Sequence, residues 1–494
     1  MGIIKSNVCI ISEGSYPYVR GGVGDWIHKI ISNMPDISFS VFFIGSKKED
    51  CLNKNYDFPK NLIEYKELFL FDKNLKADNK KIPLEFFIKT HDLMENILNK
   101  ENFNNKLEEW LKYFIKISPN NENIFNSKYF YSMVVDLAKK YADDNSFMDL
   151  YWNVGFICEP FLKIMSFIKK IPQSEIYHSV STGYAGFAGS VVSIIREKPF
   201  ILTEHGIYTR ERKIDINQSE WIFSDKVNSI FEIDKAVFFK KLWIGFFIIL
   251  SKIAYNYSKN IFSITRGNML TQKNEGALIE KLLIIPNGIE IEKFAPCIKN
   301  RDSIKKIALI GRVVPVKDIL TFIKVAFSVL SKHPDIKFEI VGPFEEDIDY
   351  YNICKDFVKI LKIEDKVQFT GRVDLSKKLY EIDLLILTSI SEGLPLVILE
   401  GFSSKIPAIC TNVGGCSDVI LGNPEFENDI NIGNAGEISP VMDINSLSLN
   451  IIKLIEDKKL YKKYQDNAFE RVNKFYNLKK VTEQYRSYYK KWLE

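Results

Sequence analysis

Short apolar runs separated by segments of helical periodicity recur in two stretches of the chain, and this rhythm predicts two α/β units. In the first stretch, residues 8–11 and 40–44 (SVFFI) read as buried strands on either side of a segment, 23–33, whose apolar positions share one helical face. The rhythm then stops. Residues 47–170 are polar, rich in Asn, Lys, Phe and Tyr, with helical spacing and few strand signals, and this predicts a helical insertion. It resumes with a strand at 176–179, a helix at 184–196, and strands at 200–204, 261–264 and 283–285. In the second stretch the strands fall at 306–310, 337–341, 367–369, 384–387 and 408–410, separated by helical segments such as 318–332. Strands joined by helical crossovers make parallel sheets, so the fold class is α/β with two doubly wound, Rossmann-like domains. Two such domains facing across a cleft would take ligands at the carboxyl ends of their strands.

The expected boundaries follow from punctuation. Residues 1–290 form the first domain and 304–475 the second. The segment PNGIEIEKFAPC, with two prolines and a glycine, places a linker at about 291–303. From about residue 460 the pattern is helical again, with Tyr461, Tyr464, Phe469, Val472, Phe475 and Tyr476 at helical spacing, and 476–494 reads as a final helix.

Composition narrows the function classes. The chain has 494 residues, 46% of them hydrophobic and 26% charged, enough for two to four domains with cores of their own. Its 67 basic residues against 63 acidic ones leave a net charge of +4, which argues against a dedicated nucleic-acid binder. Seven scattered cysteines (Cys9, Cys51, Cys158, Cys297, Cys354, Cys410 and Cys416) form no C-x-x-C pair and read as buried thiols in a reducing cytoplasm. The opening MGIIKSNVCIISEG reads as a first strand and not as a secretory signal. The apolar run at 242–250 has nine residues, where a membrane-spanning helix needs ~20. It is either a core helix or a patch facing a membrane or a partner.

Candidate chemistry gathers after predicted strands. In SEGLPLVILEGFSSK, Glu392 lies in the loop before a helix and Glu400 inside it. Gly393, Leu394 and Pro395 lead the backbone to that helix's N-terminus, whose free N–H groups suit a phosphate. Pro395 suits the first helical position. In GRVVPVKD, Arg312 and Lys317 stand on a strand-to-helix turn where a fork and a point charge can converge on one diphosphate. TGRVDL offers the backbone of Gly371 and the side chain of Val373 to a base. In EGSYPYVRGGVGDW, Gly21 and Gly22 allow close backbone approach to an anion. In TEHGIYTRER, His205 ends a strand, and Arg210 and Arg212 follow it. Asp347-Ile348-Asp349 matches the D-x-D pattern of metal-dependent transferases, but it lies in the acidic run EEDIDYY, apart from the other motifs, and reads as a solvated loop.

GRVVPVK, TGRV and the E-x7-E of Glu392 and Glu400, in that order, resemble the donor-binding half of GT-B glycosyltransferases of family 4. EGSYPYVRGGV and TEHGIYTRER are similar to the PelF-type enzymes of Pel exopolysaccharide biosynthesis. The resemblance implies a retaining transferase that draws on a nucleoside-diphosphate sugar, a UDP-sugar with UDP-glucose first, and needs no metal or further cofactor. It implies that Arg312 and Lys317 neutralise the diphosphate, Glu392 binds hydroxyls of the donor sugar and Glu400 the ribose. Gly393, Leu394 and the Gly22 region would offer amides, Val373 would lie by the base, and His205 by the reacting centre. It also implies that the final helix packs back on the first domain. The acceptor would be a growing polysaccharide or a lipid-linked primer, with an inner-membrane polysaccharide synthase complex as a partner and a cytoplasmic, peripheral location. One departure is Asp318, where family 4 often has Gly. A nucleotide-sugar epimerase and a non-catalytic nucleotide-sugar-binding scaffold are the competing readings.

Overall fold

Strand burial on both faces is what organises this chain. The protein is described here as a computed structural model covering residues 5–51, 53–72, 81–99, 104–119, 121–141, 146–219, 230–298 and 301–494, with the backbone alone at 121–122, 230–237 and 296. Among the described residues the strands are β1 (Lys5–Glu13), β2 (Phe39–Gly45), β3 (Leu62–Phe69), β4 (Gln173–Ser179), β5 (Phe200–Glu204), β6 (Asn260–Ser263) and β7 (Leu282–Ile284), then β8 (Lys306–Ile310), β9 (Lys337–Val341), β10 (Val367–Gly371), β11 (Leu384–Leu387), β12 (Ala408–Thr411) and β13 (Gly436–Ser439). They form a seven-stranded sheet of order β3-β2-β1-β4-β5-β6-β7 and a six-stranded sheet of order β10-β9-β8-β11-β12-β13. β1 pairs in parallel with β2 and β4, and β8 in parallel with β9 and β11. Each sheet grows one way for three strands and then the other. The reversal falls between β1 and β4 in the first sheet and between β8 and β11 in the second, the places where doubly wound sheets open a crevice.

The second sheet shows how alternation fills a two-sided core. Ile307, Leu309, Leu384, Ile386 and Ile409 enter one apolar layer with Phe322 and Ile323 of the helix Ile319–Leu330. Their neighbours Ala308, Ile310, Leu385, Leu387 and Ala408 enter the opposite layer with Ile398, Leu399 and Phe402 of the helix Leu396–Ser403. Successive strand residues face opposite sides, so nearly unbroken apolar runs are the expected sequence for a sheet covered twice.

The chain divides into two compact units, one of Met1–Phe262, Thr271–Leu283 and Arg486–Glu494, the other of Ser263–Leu270 and Ile284–Tyr485. The segment 291–303, expected to be a linker, is packed: Ile291, Phe294 and Cys297 lie in the core of the second unit. Buried Arg301 donates to the carbonyls of Ile382 (2.8 Å), Ser404 (2.8 Å), Leu379 (2.9 Å) and Cys297 (3.1 Å). Prolines and a glycine mark turns there, while the apolar residues between them decide burial. Residues 299–300 of that segment lie outside the described residues.

The insertion at 47–170 also needs correction. It contains β3, one edge of the first sheet, and its longer helices run over Leu84–Leu98, Asn104–Ile117, Lys128–Tyr141 and Phe147–Phe167. β3 reads LIEYKELF and is only half buried, so its apolar signal is diluted by the charges an exposed edge carries. Residues 52, 73–80, 100–103, 120 and 142–145 lie outside the described residues. The 242–250 run sits within the helix Ile230–Tyr257, with Trp243, Phe247 and Leu250 buried and no residue of the run exposed. No helix among the described residues is long and apolar enough to cross a membrane. In the first unit, Arg486 pairs with Asp36 (2.9 Å) and Trp492 Nε1 donates to Asn260 Oδ1 (2.9 Å).

Candidate active site

At the reversal point of the second sheet, the loops after β8 and β11 meet in an ion pair. Lys317 Nζ lies 2.5 Å from Glu392 Oε1, with side chains 17% and 12% exposed, and Ser389 Oγ donates to the same oxygen at 2.5 Å. Both charged groups are held from the backbone side. Thr388, next after β11, donates through Oγ1 to the carbonyls of Lys317 and Asp318 (2.9 Å each), and the Ile390 amide donates to Val316 (2.9 Å). Thr411, at the end of β12, donates through Oγ1 to the Ser389 carbonyl (2.6 Å). These bonds fix the approach of the two loops, so the pair does not depend on long side chains finding each other.

Asp318 explains why the departure from Gly is tolerated. Its φ is +46°, a left-handed conformation that Asp enters more readily than most side chains, and its Oδ1 accepts from the Thr321 amide (3.2 Å) as the cap of the helix Ile319–Leu330. Asp318→Gly, which loses the cap and keeps the backbone, is expected to change stability by only a few tenths of a kcal/mol, ~0.3. Asp318→Val loses both and is expected to cost about 2–3 kcal/mol. Chemical denaturation of the two variants measures this, and equal costs would contradict it.

Two glycines let the strand ends crowd together. Gly414, φ +54°, sits under the Glu392 loop, where an added Cβ would lie 2.0 Å from the Glu392 carbonyl oxygen. Gly342, φ +149°, lies against Gly311, with 1.9 Å between such a Cβ and the Gly311 oxygen. The Gly415 amide donates to Gly393 (2.8 Å).

Arg312 does not join Lys317 and Glu392. It is exposed, and its Nη1 donates to both oxygens of Glu346, at 2.6 and 2.8 Å. Gly371, φ +72°, ends β10 and accepts from the Gly342 amide (2.9 Å), and half-buried Val373 packs on the core. Gly393 is exposed, while Leu394 and Pro395 are buried. Pro395 precedes the helix Leu396–Ser403 and is not its first residue, and Glu400 stands half-buried in that helix. In the D-x-D run, Asp347 caps the helix Ile348–Ile360 through Oδ1 and the Tyr350 amide (2.9 Å). Among the described residues no cluster of three or more His, Cys, Asp and Glu could hold a metal ion.

In the first unit, the ends of β1, β4 and β5 carry a buried polar network. Glu13 Oε1 accepts from Tyr208 OH (2.8 Å) and Oε2 from the Ala185 amide (3.1 Å), at the start of the helix Tyr184–Arg196. Glu204 takes four bonds, from Thr182 Oγ1, the Tyr208 amide, Tyr255 OH and Gln272 Nε2 (2.8–3.1 Å). Burial pushes both carboxyls above their usual range. His205 packs edge-on against Trp26, ring centroids 4.8 Å apart, and its two ring nitrogens are hidden with no hydrogen-bond partner among the described residues. On Trp26 as well, His178 bonds Tyr489 OH (2.6 Å) and Thr203 Oγ1 (2.8 Å). Burial lowers His205 to about 4 and His178 to about 3. Gly21 (φ +96°) and Gly22 (φ +42°) are exposed at the start of the helix Gly22–Ser32, whose N-cap Gly21 has no side chain to cap the amides. Arg210 is exposed, and Arg212 pairs with Asp215 (2.7 Å) and lies over the Tyr208 ring.

A folded value below the unfolded ~6.5 means that each of these histidines adds stability that is present above pH 6.5 and withdrawn as pH falls towards 4 for His205 and 3 for His178. Both imidazoles are therefore expected to keep neutral-form NMR shifts at pH 5.5. A midpoint near 6.5 for either would contradict the buried placement.

Sequence reading named Lys317 and Glu392 but missed Ser389, Thr388, Glu346, Glu13 and Glu204. The signal available for Thr388, Ser389, Glu13 and Glu204 was a place at a strand's carboxyl end, which Ser, Thr and Glu share with many ordinary loop residues; Glu346 lies five residues past β9 in an acidic loop run.

Two α/β units with parallel sheets of this topology are Rossmann-like domains, as in the GT-B fold. Across 98% of this chain and all of the other, the fold is similar to Anabaena HepE in complex with UDP (TM-score 0.59, 12% identity). It is also similar to sucrose-phosphate synthase from Thermosynechococcus elongatus (TM-score 0.55, 14% identity, 99% of each chain). Residues 6–280, over half of the chain, match the Domain of unknown function (DUF3492), and the chain belongs to that family; residues 291–471 match Glycosyl transferases group 1. Among curated relatives, UDP-Gal:alpha-D-GlcNAc-diphosphoundecaprenol alpha-1,3-galactosyltransferase of Escherichia coli is 31% identical over 215 residues, 41% of this chain and 52% of the relative. N-acetyl-alpha-D-glucosaminyl L-malate synthase of Bacillus anthracis is 30% identical over 179 residues, 36% and 42%. The match spans about half the length of these relatives.

Proposed function

We propose that this protein transfers a sugar, with retention and without a metal ion, from a UDP-sugar, UDP-glucose first, to a growing exopolysaccharide or its lipid-linked primer. The observation that carries this reading is the Lys317–Glu392 pair, held by backbone bonds at the reversal point of the second sheet. A cation and a carboxylate that satisfy each other can separate onto different parts of a donor. Lys317 then meets the diphosphate, together with Arg312, while Glu392 meets hydroxyls of the sugar. As the glycosidic bond breaks, negative charge grows on the leaving diphosphate, and fixed cations stabilise it more than they stabilise the bound donor. Gly393 and Leu394 bring amides at the start of the helix Leu396–Ser403, Glu400 takes the ribose, and Gly371 and Val373 border the base. In the first unit, Gly21 and Gly22 offer amides to an anion, and neutral His205 serves as a hydrogen-bonding group and not as a cation. Retention follows a front-face route, in which the departing phosphate assists the acceptor hydroxyl.

The group 1 match over the second unit supports donor binding there. The activity of the galactosyltransferase relative, on a diphosphoundecaprenol acceptor, and the UDP complex of the Anabaena protein support a UDP-sugar and a lipid-linked acceptor. The assignment to PelF-type enzymes, beside an inner-membrane synthase complex on the cytoplasmic side, rests on the two loops of the first unit. UDP release from a panel of UDP-sugars, with and without acceptor glycans, tests the proposal. Acceptor-dependent release from one donor is expected. No release from any donor favours a scaffold, and free epimerised sugar favours an epimerase.

A further inference from the structure

The acidic run after β9 is a motif that the proposed reaction leaves unused. Its place beside Arg312 is fixed by backbone: the Gly311 amide donates to Val341 (2.9 Å) and the Val313 amide to Pro343 (2.9 Å), so the loops after β8 and β9 run side by side. Within that run Asp347 caps a helix, and Glu345 Oε2 accepts from the Phe344 amide (3.0 Å). Glu346 alone reaches across to the proposed diphosphate site. It holds Arg312 through a single nitrogen, Nη1, and not through the two-nitrogen fork a guanidinium makes with a strongly bound anion. Both side chains are more than half exposed, which makes the pair weak and easily exchanged.

We infer that Glu346 is an internal competitor for the diphosphate: its carboxylate holds Arg312, leaves when the donor binds, and recaptures the guanidinium as the nucleotide departs. The inference rests on the reading of Arg312 as a diphosphate ligand. The proposed transfer ends with UDP on the enzyme, and a charged partner waiting for Arg312 shortens its stay. Glu346 touches no reacting atom in this scheme. It sets donor and product affinity through Arg312.

The test is calorimetric and stopped-flow binding of UDP, and separately of inorganic pyrophosphate, to the full chain and to Glu346→Gln, Glu345→Gln and Arg312→Ala. Glu346→Gln is expected to bind both probes about two- to fivefold more tightly, the range of an exposed ion pair, with the gain in a slower UDP off-rate. In turnover it should lower KM for the donor, and kcat should fall where UDP release limits the rate. Glu345→Gln is the control for loop charge and is expected to leave binding unchanged. Equal or weaker binding by Glu346→Gln overturns the inference, as does an equal gain in both glutamine variants, which would show a diffuse field and no displacement. Undiminished binding by Arg312→Ala, or no binding of UDP by the unmodified protein, overturns the reading of the site beneath it. The two failures are thus told apart.

Discussion

Lys317→Ala is expected to lower the rate of sugar transfer by about 10²–10³-fold or more, the loss typical when one preorganised group that stabilises developing charge is removed. The second unit should remain folded. Glu392 would keep its bond from Ser389 Oγ, and the carbonyl of residue 317 would still accept from Thr388, because neither bond uses the lysine side chain. The variant does leave a carboxylate that is 12% exposed without its ammonium, so a stability loss of about 1–2 kcal/mol accompanies the kinetic one. Glu392→Ala should produce a comparable loss of transfer. Glu392→Gln should retain more stability than Glu392→Ala but recover little activity, since an amide accepts from Ser389 without balancing Lys317. Turnover with a UDP-sugar, read beside thermal unfolding, separates the two effects. Wild-type rates in either Lys317→Ala or Glu392→Ala would remove the pair from the reaction.

The second large effect is expected at Gly414. A methyl group there would begin 2.0 Å from the Glu392 carbonyl oxygen and 2.7 Å from that of Gly393, and both obstacles are backbone. The residue also adopts φ +54°, which an L side chain enters at a cost of about 1–2 kcal/mol. Gly414→Ala must therefore push the 392–394 loop outward, and Glu392 moves with it. A displacement near 1 Å is enough for about a 100-fold fall in kcat. The ion pair with Lys317 should stretch, while the sheet beneath, held by the β11–β12 pairing, stays intact. Unchanged kcat in a folded Gly414→Ala protein would show that the loop has slack the geometry does not suggest.

Strands with unbroken apolar runs were legible because a doubly covered parallel sheet asks for them; β8, with KIALI, is an instance. β3 and β13 were not. β3 mixes Glu and Lys into a half-exposed edge, and β13 is only GEIS, four residues with a glycine at its start. At the candidate site, Lys317 and Glu392 stood out because each follows a strand and opens a helix. That the two touch depends on residues far apart in sequence pairing through β8 and β11, which one sequence does not display. The partner of Arg312 was hidden for a sharper reason. EEDIDYY has the composition of a solvated loop, and only the backbone bonds between the β8 and β9 loops bring Glu346 to the guanidinium. Sequence marks where charges lie along the chain, and topology decides which of them meet.

The last nine residues, Arg486–Glu494, belong with the unit that begins the chain, and Tyr489 supplies the hydroxyl bonded to His178 at the heart of that unit. During synthesis the earlier unit therefore waits for the whole of the later one to be translated before its own interior is complete. A nascent chain paused after Phe475 would hold an unfinished amino-terminal half, and chaperones would be expected to engage it until the closing helix emerges.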